Sequence, residues 1–494
     1  MIGEEASTVR SADQANSSSP LAKLSYEEAI ANNQAALSRW PRDQEAQEAR
    51  LVPFCQPGIR PTFSIHPDDL IFTIGSCFAR NIEQHLIAGG FSVAVSRFDE
   101  MCQAEGVKVK SNTLNKFVAQ SIVNELSWAL EPGAEFPRES IVEVKNERYL
   151  DMQLAPGLLP TSLDTALRTR RAVSSYMRMV KDAKVVIVTL GLAEAWYDTA
   201  LDLYTNTMPM KGTVERYPGR FEHHVLEYNQ LLRSLRHMLS LLEQYGNPDF
   251  RMILTVSPVA MGATFTEHDA LVANTYSKAV QRAAVEAICR EHDRVDYLPT
   301  FESVTLSDQS LAWREDRAHV STDIVRLNVL RMEKAYSART ADTSSEQSLD
   351  AAHVEAVKLA KEGKSLAKAG DMQAADQLFR RAVELAPDEV LPHLYWGDAL
   401  YRQGHFGEAA RELQTAMDLG GRVYEIAYTL AKCHAKVLNW PQAEVAARAA
   451  IEDSPDAAGP YKLLSKALKQ LGHTAEAERF LAKHQQLTEQ QTQA

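Results

Sequence analysis

The 494-residue chain is poor in cysteine and aromatic residues, and it carries no excess of positive charge. Its five cysteines (Cys55, Cys77, Cys102, Cys289 and Cys433) are odd in number and widely spaced, and no Cys-x-x-Cys occurs. A disulfide framework or a structural zinc site is therefore not expected, and reduced thiols are. A net charge of −12 argues against a protein that coats nucleic acid, because phosphate binding needs clustered Lys and Arg. No stretch approaches the roughly 20 apolar residues of a membrane helix. The start, MIGEEASTVR, lacks the basic and apolar segments of a signal peptide. These absences lead us to expect a cytoplasmic protein with no nucleic-acid partner, no membrane insertion, no metal and no cofactor.

What is present divides the chain. Residues 1–20 are Ser-, Ala- and acid-rich without periodicity, and read as a disordered tail. Ser25-Tyr-Glu-Glu28 has the form of a capping box and opens a helix ending before Pro41, within a helical extension over 21–68. From Asp69 the pattern becomes strand–turn–helix. Leu70–Ile74, Phe91–Val95, Lys184–Leu190, Arg251–Val256 and Val295–Leu298 read as strands. The near-continuous apolar run of Lys184–Leu190 marks a central strand buried on both faces. Tyr228–Tyr245 and Asn274–His292 read as helices. This alternation predicts an α/β domain over 69–336, with a parallel sheet covered on both faces. A polar, Ser/Thr-rich linker follows over 337–355, and the rest is helical.

The helical remainder repeats. Gly363, Gly397 and Ala431 recur at one spacing of 34, and Ala375, Ala409, Ala443 and Ala477 share a second register. Ala382, Ala416 and Ala450 share a third. Pro387 and Pro455 close second helices, with Gly421 in the equivalent place. Gly370, Gly404 and Gly472 mark turns between paired helices, with Leu438 as the exception. This pattern resembles four tetratricopeptide (TPR) repeats over 356–491. The resemblance implies an all-α solenoid whose groove docks a protein or peptide, or one that caps the first domain or mediates self-association.

Gly75-Ser-Cys-Phe-Ala79 follows a buried strand and opens a helix. Free N–H groups at a helix start stabilise a developing oxyanion, and sites in open α/β sheets lie at the carboxyl ends of strands. Ser76 is a candidate nucleophile there, its own N–H a candidate oxyanion donor. Asp316-Arg-Ala-His319 supplies a candidate base, because an Asp three residues before a His on a tight turn can accept the ring N–H. Ser76 also reads as a helix cap; Asp316 and His319 favour the nucleophile. Cys77 is the alternative nucleophile, since thiols at helix starts are more readily ionised, but the residue after the turn should point back toward the sheet, so Cys77 is expected to pack. His223 and His224 read as a solvated pair, too few for a metal site.

Ile-Gly-Ser-Cys-Phe-Ala, Leu190-Gly-x-x-x-x-Trp196, Ser257-Pro-Val with Asn274-x-x-Ser-Lys278, and the final Asp-x-x-His together resemble the GSCFA domain family, itself similar to SGNH-type hydrolases. The resemblance implies a flavodoxin-like sheet, a Ser76–Asp316–His319 triad and acyl-ester chemistry, on an acylated glycan or another small ester. SGNH enzymes usually place Gly and Asn donors after the central strand. Here Gly191 is present, but the position three later is Glu194, and an ionised carboxylate only accepts hydrogen bonds. Asn112 or another donor replaces the Asn, or the hole is weaker, or Glu194 has another role. Trp196 and Asn274 are further pocket candidates. The expected function is a serine-dependent hydrolase or O-acyltransferase. The alternative, suggested by Glu194 and the four repeats, is a non-catalytic TPR adaptor in polysaccharide biosynthesis whose hydrolase domain has degenerated.

Overall fold

The computed structural model describes residues 21–493 except 45, 46, 48, 49, 315, 316, 338–342, 420–422 and 456. Two compact units divide at residues 340 and 341. Among the described residues no helix is long and apolar enough to cross a membrane.

The first unit is built on a four-stranded parallel sheet. In space its strands run Ile71–Gly75, Val185–Leu190, Arg251–Val256 and Val295–Tyr297. Every residue of the first two is buried, because helices cover both faces. Phe72 stacks on Tyr176 at 5.0 Å between ring centroids, and Phe98 meets the same ring edge-on at 5.6 Å. The expected strand over 91–95 is reduced to a single parallel bridge, Ile71 to Val93. Ala94–Arg97 is already a 3-10 turn leading into the helix Phe98–Ala104. That remnant lies beyond the first strand, so the sheet follows the flavodoxin-like order 2-1-3-4-5 with its second strand vestigial.

Elsewhere the local signals decide. Ser25 and Glu28 bond each other's backbone N–H (3.2 and 2.8 Å), and the helix runs Tyr26–Gln34. The long helix begins at Ala270, four residues before Asn274, because Asp269 caps it through the Leu271 N–H. A small antiparallel sheet of Leu203–Thr205, Glu194–Asp198 and Phe221–Val225 stands beside the main sheet.

The second unit is four antiparallel helix pairs: Thr343–Ala369 with Met372–Leu385, Val390–Gln403 with Phe406–Asp418, Val423–Lys436 with Trp440–Asp453, and Ala458–Gln470 with Thr474–Gln493. It is a TPR-type solenoid. A Cβ on Gly363 would sit 2.9 Å from the Phe379 ring, and one on Gly397 would sit 2.7 Å from Leu413. The recurring small residues therefore mark where paired helices touch. Gly370, Gly404 and Gly472 turn with positive φ, and Leu438 adopts the same left-handed turn (φ 62°). The first helix starts inside the segment expected as linker, at Thr343. No Gly or Pro interrupts 343–350, and Glu346, Gln347 and Leu349 favour the helix. Gly421 lies outside the described residues.

Candidate active site

The turn at the end of the first strand depends on Gly75. Its φ is 138°, and a Cβ there would meet the Thr189 carbonyl oxygen at 2.2 Å. Only glycine lets the chain turn this close to the central strand. The turn delivers Ser76 into the sheet. Its N–H donates to the Thr189 carbonyl at 3.0 Å. Its Oγ lies 3.1 Å from Thr189 Oγ1 and accepts the Phe78 N–H at 3.3 Å. Ser76 is 2% exposed and caps the helix Cys77–Ala88. The expected oxyanion donor at Ser76 is thus already bonded, and its hydroxyl is buried.

Cys77 takes the opposite direction. As the first residue of that helix it lines a cavity of about 190 Å³ with Phe117, Pro156, Gly191, Leu192, Ser257, Val259, Ala260, Met261 and Gly262. This corrects the expectation that Cys77 packs. A cap side chain must turn back onto its own helix, which frees the next residue to face outward. The cavity lies at the carboxyl ends of the strands, where Gly191 and Ser257 directly follow their strands. Its walls are mostly apolar. Ser257 is 1% exposed and its Oγ has no hydrogen-bond partner among the described residues, which leaves an unsatisfied hydroxyl at the cavity wall. Burial raises the Cys77 thiol above its usual range, against the opposing pull of Lys278 and Arg314.

One helix face positions the cavity rim. Along Ala270–Glu291, the Asn274 Oδ1 accepts the Met261 N–H (3.1 Å), and Ser277 Oγ accepts the Ala193 N–H (2.8 Å). Lys278 Nζ and Gln281 Nε2 donate to the Gly191 carbonyl at 2.7 and 3.3 Å. Positions 274, 277, 278 and 281 share a face by helical spacing, so Asn274 is a brace within the helix rather than its cap. Gly191 in turn lies against the Phe117 backbone, where a Cβ would sit 2.8 Å from the carbonyl oxygen. That wall is anchored by a buried ion cluster. Arg170 bonds Glu125 (2.9 Å) and Asp151 (2.6 Å), and Lys116 bonds Glu125 and the Gln153 carbonyl.

Glu194 is a loop clamp. Its carboxylate accepts from Thr264 Oγ1 (2.6 Å) and the Phe265 N–H (3.1 Å), and lies 3.3 Å from His223 Nε2. Trp196 packs against His223 and Phe265. Neither Glu194 nor Trp196 lines the cavity. The two histidines are built into the small sheet: His224 stacks on Tyr197 and bonds Tyr204 at 3.1 Å. Asn112 is exposed in a 3-10 turn, away from the cavity lining. Ser257 and Lys278 escape the sequence reading and Cys77 figures there only as the lesser alternative to Ser76, though all three lie within motifs already singled out; what was absent was their direction.

His319 is exposed on a loop closed by the Trp313–Val320 bridge, and its carbonyl accepts the Arg314 N–H at 2.8 Å. Arg314 acts electrostatically on Cys77. Asp316 lies outside the described residues. No cluster of metal-ligating side chains occurs among the described residues.

A parallel sheet of flavodoxin-like order, a cavity at its carboxyl edge and a stack of paired helices define a hydrolase-like domain joined to TPR-type repeats. The chain belongs to the GSCFA family, whose model matches residues 70–331. No curated protein matches it. It is similar to several solved structures. One is MamA, at 21% identity and TM-score 0.27, covering 30% of this chain and 87% of that one. Another is MamA from Desulfovibrio magneticus RS-1, at 18% and 0.26, covering 30% and 88%. A third is YrrB, described as a TPR protein with an unusual peptide-binding site, at 16% and 0.27, covering 30% and 76%. The repeat assignment rests on the four helix pairs themselves.

Proposed function

We propose that the first unit is an acyl-transfer enzyme of SGNH type, a hydrolase or O-acyltransferase of acyl esters such as acylated carbohydrate, and that its nucleophile is the Cys77 thiol rather than the Ser76 hydroxyl. The observation that carries this reading is that Cys77 lines the cavity while Ser76 is spent on capping and on Thr189. The thiolate attacks the ester carbonyl, the alcohol leaves with a proton, and the resulting thioester passes its acyl group to water or to an acceptor hydroxyl. The Ser257 hydroxyl is the donor available to the developing oxyanion, replacing the expected Ser76 N–H and Asn112; the Gly191 N–H is the second. His319, on the loop whose Arg314 acts on the thiol, returns the proton to the leaving group, with Asp316 orienting its ring. The repeats dock a protein or peptide partner.

The adaptor alternative draws on Glu194 as a damaged oxyanion position and on the four repeats. Three contacts to the 264–265 loop and His223 give that carboxylate a structural purpose, so the alternative rests on the repeats alone. The test is hydrolysis of p-nitrophenyl acetate by the full chain. Cys77→Ala should lower turnover by about 10²-fold or more, while Asn112→Ala should leave it unchanged. Equal turnover in wild type and Cys77→Ala would overturn the reading. Product analysis with and without a glycan acceptor separates hydrolysis from transfer.

A further inference from the structure

Among the described residues no charged side chain lines the cavity beside Cys77, and the lining side chains that can donate a hydrogen bond are Cys77 and Ser257. Phe117, Leu192, Val259 and Met261 supply apolar wall. A carbohydrate does not suit such a space, because each buried hydroxyl without a partner forfeits its hydration. A hydrocarbon chain does. Size narrows the occupant further. An apolar cavity of roughly 150 Å³ takes a benzene molecule. At the same packing, about 190 Å³ takes about seven heavy atoms, the content of a hexanoyl group and well above that of acetyl. The walls are tied in place. The Phe117 N–H donates to Asn206 Oδ1 at 2.8 Å, and the Phe117 carbonyl accepts the Leu192 N–H at 2.7 Å. The loop after the third strand is held at its start by the Ser257 N–H on the Leu190 carbonyl (2.8 Å) and at its middle by Asn274 on the Met261 N–H (3.1 Å). Glu194 holds its far end at Thr264 and Phe265. Fixed walls set a length, which a yielding loop would not. Met261, 9% exposed, is the longest side chain that this loop gives to the cavity.

We infer that this cavity is an acyl subsite selective for a medium-chain apolar acyl group of about six carbons, and that Met261 gauges the chain length. Cys77, Gly191 and Ser257 mark the sheet end of the cavity, and the ester carbonyl sits there. The hydrocarbon runs along Val259 and Met261, and the alcohol, sugar or other, stays outside. Each further methylene that is buried raises kcat/KM about fourfold, until the cavity is full. A longer chain then meets anchored wall, and the rate falls.

This inference rests on the acyl-transfer reading, and one arm of its test needs no turnover. The full chain is assayed with p-nitrophenyl acetate, butyrate, hexanoate, octanoate and laurate. From acetate to hexanoate kcat/KM should climb roughly 10²-fold, and it should fall again by laurate. Met261→Ala should move the optimum to octanoate, and Met261→Phe should move it to butyrate. An optimum at acetate, or a climb that continues through laurate, overturns the inference. An optimum that neither substitution moves overturns the role of Met261. The second arm is protection of Cys77 in the wild-type chain from alkylation by iodoacetamide, read by peptide mass. Hexanamide should protect at roughly 10²-fold lower concentration than acetamide, and equal protection overturns the subsite. This arm also decides should the Met261 variants not fold. Turnover through Cys77 without a chain-length preference would sink only the subsite. Protection by hexanamide without turnover of any ester would sink only the enzymatic reading.

Discussion

The two units use glycine for the same purpose and under different penalties. In the repeats, Gly363 and Gly397 admit the Phe379 ring and the Leu413 side chain, groups that can swing aside. In the α/β unit, Gly75 and Gly191 admit the carbonyls of Thr189 and Phe117, which belong to paired backbone and cannot. A repeat tolerates drift because its neighbours supply similar contacts. The site turn has one solution.

That contrast sets the largest predicted effect. Gly75→Ala combines a backbone clash with a φ of 138° and should cost about 2–6 kcal/mol, enough to abolish the native unit. Gly363→Ala should cost about 1–3 kcal/mol. Chemical denaturation of the full chain, followed by circular dichroism, ranks the two; equal losses would erase the distinction.

A smaller effect separates the units by pH. Burial alone would lower His393, but the Glu412 carboxylate at 2.7 Å and the Pro387 carbonyl at 2.9 Å both take ring protons, and the net shift is upward. Both partners only accept, so both ring nitrogens must donate. A raised folded pKa gives stability that is complete below the unfolded value near 6.5 and lost as pH rises through the folded one. The thermal transition of the repeats should therefore fall as pH rises above about 6.5, and His393→Gln should flatten that dependence. A pH-independent transition in wild type would contradict the pairing.

The smallest effect is a gain. Leu438 holds a left-handed turn that Gly370, Gly404 and Gly472 hold elsewhere, and it is exposed. Leu438→Gly should stabilise the repeats by about 0.5–1 kcal/mol, visible as a later denaturation midpoint. Destabilisation would mean that the side chain packs in a way its exposure denies.

Much of this was legible in the chain. The buried strands at 184–190 and 251–256, the helix Tyr228–Tyr245, the Ser25 capping box and the repeat register follow from periodicity and caps, which are local. The strand expected at 91–95 failed because its propensity met no second partner beyond Ile71, and edge position is set by topology. The same limit applied at the site. Spacing put Ser76, Cys77, Asn274 and Lys278 in view, but one residue's rotation at a helix start decides which side chain caps and which faces the cavity. Glu194 looked like a lost donor because sequence shows the residue type and not the Thr264 hydroxyl it holds.

The central claim is that the thiol, not the adjacent hydroxyl, carries the acyl group. Rapid acid quench of the full chain with p-nitrophenyl acetate, followed by peptide mass mapping of the 70–88 segment, tests it directly. The acyl group should sit on Cys77 in wild type and in Ser76→Ala, and be absent in Cys77→Ala. An acyl group on Ser76, or one that survives loss of Cys77, would contradict it.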